Sequence, residues 1–205
     1  MANGDTQRRK HFSMLRSFHL ADLVTLGNGA CGIAAIFHAM RFMDTQYAPH
    51  LYLAAGLIPL ALVFDVLDGR IARWRHHASP LGRELDSLAD VISFGVAPAA
   101  IAFAIGLRSA LDQIVLSYFV LCGLSRLARY NITAEEMSSS TGRVEYFEGT
   151  PIPSSLVPLA LTMVLYREDM LGGFQLAGFP MHLVTLLFAA SGSLMISKTI
   201  HIPKP

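Results

Sequence analysis

The feature that most restricts the fold of this chain is a series of apolar stretches, most of them as long as a membrane-spanning helix. A helix needs about 20 apolar residues to cross the hydrocarbon core of a bilayer. Hydrophobic residues make up 53% of the 205 residues and charged residues only 15%, against about 25% charge in soluble domains. The sequence therefore predicts an all-α integral membrane protein with six transmembrane helices. The six stretches are residues 22–40, 51–73, 81–106, 110–131, 151–166 and 180–199.

The segment before the first stretch, HFSMLRSFHL, has an amphipathic pattern. It predicts a short helix that lies on the membrane surface, preceded by a flexible tail over residues 1–10. No small-residue cleavage site follows the basic N-terminus, so we expect no cleavable signal peptide. We interpret residues 1–205 as a single membrane domain. The net charge of +1 gives no overall field that would attract nucleic acid.

The distribution of Lys and Arg predicts the orientation in the membrane. If the N-terminus is cytosolic and all six stretches cross, 13 of the 16 Lys and Arg residues lie on the cytosolic side. The other three are Arg41, Arg108 and Arg167. Cytosolic loops are enriched in Lys and Arg, so this bias supports the assumed orientation. It places the end of the second stretch, the start of the third and the loop after the fourth at the cytosolic face.

Four aspartates interrupt the second and third stretches, where inserting one carboxylate costs roughly 2.5–3.5 kcal/mol. Asp65 and Asp68 are three residues apart, and Asp86 and Asp90 are four apart, so each pair lies on one face of its helix. Converging carboxylates repel one another unless a cation lies between them. Oxygen ligands suit Mg²⁺, Mn²⁺ or Ca²⁺. Four carboxylates are enough for two such ions with shared ligands, as in two-metal phosphoryl-transfer sites.

Small and basic residues accompany the aspartates. Gly69 and Ala72 leave room for a bulky ligand beside the helix, and Arg73 can bind a phosphate through two hydrogen bonds. The spacing alone also fits a salt-bridged helix pair in which Arg70, Arg73 and Arg83 neutralise the aspartates. A transporter with a proton relay and a purely structural membrane protein are further interpretations.

The complete pattern resembles the signature of a known family. Asp65-x2-Asp68-Gly69-x2-Ala72-Arg73-x8-Gly82-x3-Asp86-x3-Asp90 is similar to the motif of the CDP-alcohol phosphotransferases, and all eight fixed positions are filled. The resemblance implies six transmembrane helices around a site where an alcohol displaces CMP from a CDP-linked donor.

The same resemblance implies roles for individual residues. Asp65, Asp68, Asp86 and Asp90 would hold two divalent cations, Mg²⁺ or Mn²⁺, and Asp90 would also be the catalytic general base. The residues expected to bind CDP-diacylglycerol are Gly69, Ala72, Arg73, Ser79 and Gly82.

Residues outside the signature bear on the acceptor alcohol. GRELDSLADVISFGVAPA, CGLSRLARYNIT and STGRVEYFEGTPIP resemble the branch of the family that makes phosphatidylserine from CDP-diacylglycerol and L-serine, especially its fungal form. This similarity extends from about residue 20 to residue 199. It implies a homodimer in the endoplasmic reticulum membrane. One departure is Ala21-Asp22, where many members begin the first helix with Pro-Asn, so the role of that helix in nucleotide contact stays open.

Charged residues at the predicted cytosolic face form a candidate serine site. Arg126 and Arg129 are three residues apart, so both can face the serine carboxylate. Glu84 can meet the ammonium group, and Asn131 can complete the pocket. Anchoring at the membrane surface is an alternative role for the two arginines, and a local ion pair with a neighbouring arginine is one for Glu84. The alternative function is a sister enzyme that uses inositol or glycerol-3-phosphate as the acceptor.

Overall fold

A computed structural model of the protein describes residues 20–75, 80–139, 146–176, 178–197 and 201–203. The tail predicted over residues 1–10, the surface helix predicted before residue 20 and Ser79 lie outside these ranges. The first half of the described chain consists of α1 (Leu20–Thr45), α2 (Ala48–Arg75), α3 (Pro80–Asp90), a π-helical segment (Val91–Val96) and α4 (Ala97–Ala104). The second half contains α5 (Ala110–Ser139), a 3₁₀ turn (Ile152–Ser155), α6 (Leu156–Arg167) and α7 (Thr185–Ile196).

Short strands form two small antiparallel pairs. Strand β1 (Tyr146–Glu148) pairs with β4 (His201–Pro203), and β2 (Gly173–Leu176) pairs with β3 (Phe179–His182). The sequence predicts a helix from residue 180, but α7 begins only at Thr185. The reason is local: Gly178 has a positive φ of 85° and forms the turn of a hairpin that includes residues 179–182.

The predicted fold class, an all-α integral membrane protein, is confirmed. Within the described residues, four helical runs are long and apolar enough to cross a membrane: Leu20–Thr45, Ala48–Ile71, Leu81–Ala104 and Ala110–Thr133. The fifth and sixth predicted spans are shorter apolar helices, Ile152–Arg167 and Thr185–Ile196. The count of six spans therefore stays a prediction.

Local signals explain where the long helices begin and end. Gln46 adopts a positive φ of 53° and donates its backbone N–H to Phe42, which ends α1. Pro49 follows in the first turn of α2, where its missing N–H costs nothing. Ser109 and Asp112 cap the start of α5 reciprocally, because each backbone N–H donates to the other's side chain at 3.1 Å.

Close helix contacts occur at glycines. A Cβ atom at Gly32 of α1 would lie 2.8 Å from the Cα of Ser93, and one at Gly192 of α7 would lie 3.1 Å from the Cα of Phe119. Phe119 and Phe188 also meet edge to face, with ring centroids 5.3 Å apart. Gly32 thus permits α1 to pack closely against another helical segment of the same chain. Many large apolar side chains remain exposed, as expected for a surface that faces lipid.

Candidate active site

The four aspartates converge from α2 and α3. Carboxylate oxygens of Asp65, Asp68 and Asp86 lie within 4.8 Å of one another. Asp90 is near enough for its charge to interact with the charges of the other three. Asp68 and Asp90 are buried, and the other two are half-buried. The turn between α2 and α3 thus brings together two carboxylate pairs that are separate in the sequence.

This carboxylate cluster fits a divalent cation. The Oδ1 atom of Asp86 is buried and has no hydrogen-bond partner among the described residues. Leaving such an atom unpaired in the protein interior is costly, and a cation would supply its partner. Among the described residues, none of the four aspartates forms an ion pair with an arginine. The salt-bridged interpretation of the aspartates is therefore wrong for the described residues.

Helix α1 contributes polar residues that the sequence analysis missed. Thr25 donates its hydroxyl to Asp68 Oδ2 at 2.6 Å, and Asn28 donates its amide to Asp90 Oδ1 at 2.9 Å. Asp22 is buried and its charge interacts with Asp68. A weak signal was available, because Asp22, Thr25 and Asn28 recur at every third position while the other residues from 20 to 37 are apolar or glycine.

The residue after Asp90 begins the π-helical segment. Ser93 in that segment donates its hydroxyl to the backbone oxygen of Asn28 at 2.9 Å. The wider π-helical turn and the absence of a side chain at Gly32 let α1 pack directly on this backbone. π-Helical turns within α-helices are frequent at functional sites.

Some of the residues expected to bind the donor lie beside the carboxylates. A Cβ atom at Gly69 would meet no atom within 4 Å, so space is open next to this backbone. Arg73 is exposed and donates Nε to the Gly69 carbonyl at 3.2 Å. Gly82 lies in the first turn of α3, and Ala72 is described only as part of α2.

Two of the residues expected to bind serine are in contact across α3 and α5. Asn131 donates its amide to both carboxylate oxygens of Glu84 at 3.4 Å and to Ser87 Oγ at 3.0 Å. The Ser87 hydroxyl is also 3.2 Å from Asn131 Oδ1. Ser87 is an addition to the predicted set, one residue after Asp86.

The two arginines of α5 are half-buried and incompletely bonded. Arg126 Nε and Arg129 Nη2 are buried without a hydrogen-bond partner among the described residues. Arg129 Nη1 is 3.5 Å from the carbonyl oxygen of Ile196. The charge of Arg126 interacts with Asp90. Unpaired guanidinium N–H groups beside the carboxylate cluster are suited to an anion.

Comparison with known proteins adds the decisive observation: the family described as CDP-alcohol phosphatidyltransferase matches residues 18–193. The chain belongs to this family. A Saccharomyces cerevisiae CDP-diacylglycerol–serine O-phosphatidyltransferase is 45% identical over 98% of this chain and 76% of its own length. A Helicobacter pylori protein of the same name is 38% identical over 70% of this chain and 56% of its own length. One from Bacillus subtilis is 30% identical over 73% of this chain and 77% of its own length.

Membership of the CDP-alcohol phosphatidyltransferase family narrows the interpretations that the spacing left open. A transporter with a proton relay and a purely structural role do not fit it. The family is divalent-metal dependent, and the Asp65, Asp68 and Asp86 carboxylates provide a cluster that can bind such a metal.

Further polar atoms of this family member lie beside α5 and α7 and were also missed. Thr150 Oγ1 and Ser155 Oγ are buried without a partner among the described residues. Their segment packs on α5, where a Cβ atom at Gly123 would lie 2.9 Å from Ile152 Cδ1. The sequence analysis used this region only for the resemblance carried by STGRVEYFEGTPIP, because isolated hydroxyl residues next to prolines give no periodic signal.

Proposed function

We propose that this protein transfers the phosphatidyl group from CDP-diacylglycerol to the hydroxyl of L-serine, which gives phosphatidylserine and CMP. The observation that carries the proposal is the 45% identity, over 98% of the chain, to the S. cerevisiae protein of that activity. The juxtaposition of a carboxylate cluster with two incompletely bonded arginines supports it independently.

The carboxylates of Asp65, Asp68, Asp86 and Asp90 would hold two divalent cations, Mg²⁺ or Mn²⁺. When bound, such cations neutralise the charge on the diphosphate of the donor. The buried, unpartnered Oδ1 of Asp86 supports this assignment. Thr25, through its hydrogen bond to Asp68, orients one ligand of the cluster.

Residues of α2 and α3 would bind the donor. The open space at Gly69 allows the nucleotide diphosphate to approach the backbone. Arg73 is exposed, so its guanidinium can exchange the Gly69 carbonyl for a phosphate. We assign the remaining donor contacts to Ala72, Ser79 and Gly82 by resemblance to the family motif.

Asp90 would be the general base. It accepts the proton of the serine hydroxyl as the serine oxygen attacks the phosphorus that carries the diacylglycerol. The new O–P bond forms while the bond from that phosphorus to the bridging oxygen breaks. The electron pair of the broken bond leaves with CMP.

The α5 side of the site would bind the acceptor. The free N–H groups of Arg126 and Arg129 are suited to the serine carboxylate. Glu84, held by Asn131, would face the ammonium group. This pairing of one cationic and one anionic partner favours an amino acid over inositol, which is uncharged.

A comparison of acceptors tests the proposal. Purified protein is given CDP-diacylglycerol and Mg²⁺ or Mn²⁺ with L-serine, inositol or glycerol-3-phosphate, and CMP release is measured. We expect CMP release with L-serine and none with inositol or glycerol-3-phosphate. Release with inositol or glycerol-3-phosphate but not with serine would replace the proposed function by that of the sister enzyme.

Four broader assignments accompany this function. We propose that residues 1–205 act as one catalytic membrane domain, as a homodimer, in the endoplasmic reticulum membrane with the active site on its cytosolic face. The Lys and Arg bias supports the orientation, and the similarity to a fungal enzyme supports the organelle. The homodimer follows from resemblance to the family, and the mass of the purified protein in detergent tests it.

A further inference from the structure

The catalytic carboxylate of the proposed reaction has a specific neighbour on another helix. Asn28 of α1 donates its side-chain amide to Asp90 Oδ1 at 2.9 Å. Within the described part of the chain, no other side chain donates a hydrogen bond to Asp90. An ionised carboxylate accepts strong hydrogen bonds, so this contact restricts rotation of the Asp90 side chain.

Asn28 is itself held firmly. Its residue is completely buried, with 0% of its surface exposed. Its backbone oxygen accepts the hydroxyl of Ser93, three residues beyond Asp90. Gly32, one turn along α1, lies so close to Ser93 that even a methyl group would collide with the Ser93 backbone. The Asn28 amide and the backbone that follows Asp90 are therefore fixed relative to each other.

We propose that Asn28 is a positioning residue for the general base. Its amide occupies Oδ1 of Asp90, which leaves Oδ2 as the oxygen that takes the proton from the acceptor alcohol. α1 thus acts as a brace that holds the catalytic oxygen in line with the attacking hydroxyl. This inference rests on the proposed function for the identity of the base, but it holds for any alcohol acceptor.

Thr25 offers an internal contrast. It lies three residues before Asn28 on α1 and donates at 2.6 Å to Asp68, which is assigned to the cations but not, like Asp90, also to proton transfer. If the two residues brace different groups, their loss affects different kinetic quantities. Loss of the Asn28 amide lowers kcat, and loss of the Thr25 hydroxyl raises the concentration of Mg²⁺ that gives half-maximal activity.

The test compares Asn28→Ala, Thr25→Val and Thr185→Val in the full-length protein. Thr185→Val is the matched control, because it removes a buried hydrogen bond of 2.7 Å to Asp112, which lies in the first turn of α5, about four helical turns before Arg126. Measured quantities are kcat, the KM values for both substrates, the activating Mg²⁺ concentration and the Tm.

For Asn28→Ala we expect kcat to fall by about tenfold or more, since a small misplacement of a reacting group can cost about 100-fold. Both KM values stay within about twofold, and the activating Mg²⁺ concentration rises less than it does for Thr25→Val. Thr25→Val raises the activating Mg²⁺ concentration and keeps kcat at saturating Mg²⁺ close to that of the unmodified protein. Thr185→Val lowers Tm without lowering kcat per folded molecule.

The proposal is overturned if Asn28→Ala keeps kcat within twofold of the unmodified protein, or if it changes a KM or the Mg²⁺ requirement instead. If Asn28→Ala does not fold, Asn28→Leu has a similar volume and is judged by the same criteria. If the unmodified protein uses inositol or glycerol-3-phosphate in place of serine, the proposed function fails, and the Asn28 test is run with that alcohol.

Discussion

At the scale of single residues, the candidate site contains two groups of buried atoms that need complementary partners. On the α3 side, the buried Oδ1 atom of Asp86 lacks a hydrogen-bond partner among the described residues. On the α5 side, nitrogen atoms of Arg126 and Arg129 lack an acceptor. Since most buried polar groups are paired, this arrangement indicates a site for a cation beside a site for an anion.

The role of Asp90 is testable by an isosteric change. Asp90→Asn keeps the size of the side chain but removes its capacity to accept a proton. We expect serine-dependent CMP release to fall by about 100-fold or more, while equilibrium binding of CDP-diacylglycerol is largely retained. Asp169→Asn is the control, because Asp169 is exposed, lies beyond the end of α6 and has a positive φ of 55° that Asn tolerates. Full activity of Asp90→Asn would refute the assignment of the base.

The arginines are expected to act on the acceptor. Arg126→Lys keeps the positive charge but loses the planar fork that binds a carboxylate through two hydrogen bonds. We expect the KM for serine to rise by about tenfold, since a hydrogen bond to a charged group contributes about 1.5–3 kcal/mol. The KM for CDP-diacylglycerol stays within about twofold. Arg167→Lys, an exposed change at the last residue of α6, serves as the control. An unchanged KM for serine would instead favour a membrane-anchoring role for Arg126.

At the scale of helices, the site depends on how closely α1 approaches the π-helical segment. Gly32→Ala would place a methyl group 2.5 Å from Ser93 Oγ and 2.8 Å from its Cα, so α1 must move. We expect a loss of about 1–3 kcal/mol in the free energy of unfolding, seen as a lower Tm, together with reduced activity. Gly56→Ala in α2 is the matched control, because its methyl group would meet nothing within 4 Å. Equal Tm values for the two variants would contradict this account of the packing.

The cation is expected to join two helices, so it should stabilise the fold as well as support catalysis. We expect a chelator to abolish CMP release and Mg²⁺ or Mn²⁺ to restore it. Ligands that bind only the folded state raise stability, so Mg²⁺ should raise the Tm of the unmodified protein. Asp86→Asn should lose most of that increase. Activity that persists in the chelator, with a Tm that does not respond to Mg²⁺, would argue against a cation at this cluster.

The sequence predicted α2 and α3 better than it predicted α1. The aspartates of α2 and α3 recur at helical spacing, and charged residues in an apolar stretch are conspicuous, so convergence of the two pairs followed directly. The hydrogen bonds from Thr25 and Asn28 to the aspartates could not be predicted in this way. Uncharged polar residues are common on buried helix faces, and Ala21-Asp22 departs from the family pattern. The π-helical segment and the strand at Phe179–His182 depend on tertiary contacts and turn geometry that hydrophobic periodicity does not encode.

At the scale of the whole molecule, the two ends of the helical bundle differ in chemistry. One end holds the aspartate cluster, Arg126 and Arg129. The other end is joined by a different polar cluster, in which the buried carboxylate of Asp112 accepts hydrogen bonds from His182 and Thr185 at 2.7–3.0 Å. Asp112 lies in the first turn of α5, and Arg126 lies about four turns further along the same helix. At a rise of about 1.5 Å per residue this separation is about 21 Å, roughly two thirds of the ~30 Å hydrocarbon core.

The orientation of these ends can be tested by cysteine labelling in sealed microsomes, whose outer surface is cytosolic. Trp74→Cys places a thiol near the end of α2 on the aspartate side, at a position 79% exposed, and Tyr47→Cys places one in the turn between α1 and α2, at a position 60% exposed. The native Cys31 and Cys122 are buried and are replaced by Ala. Because Lys and Arg are concentrated on the aspartate side, an impermeant maleimide should label Trp74→Cys in intact vesicles and Tyr47→Cys only after detergent is added. The reverse pattern would place the active site on the lumenal face and refute the proposed topology.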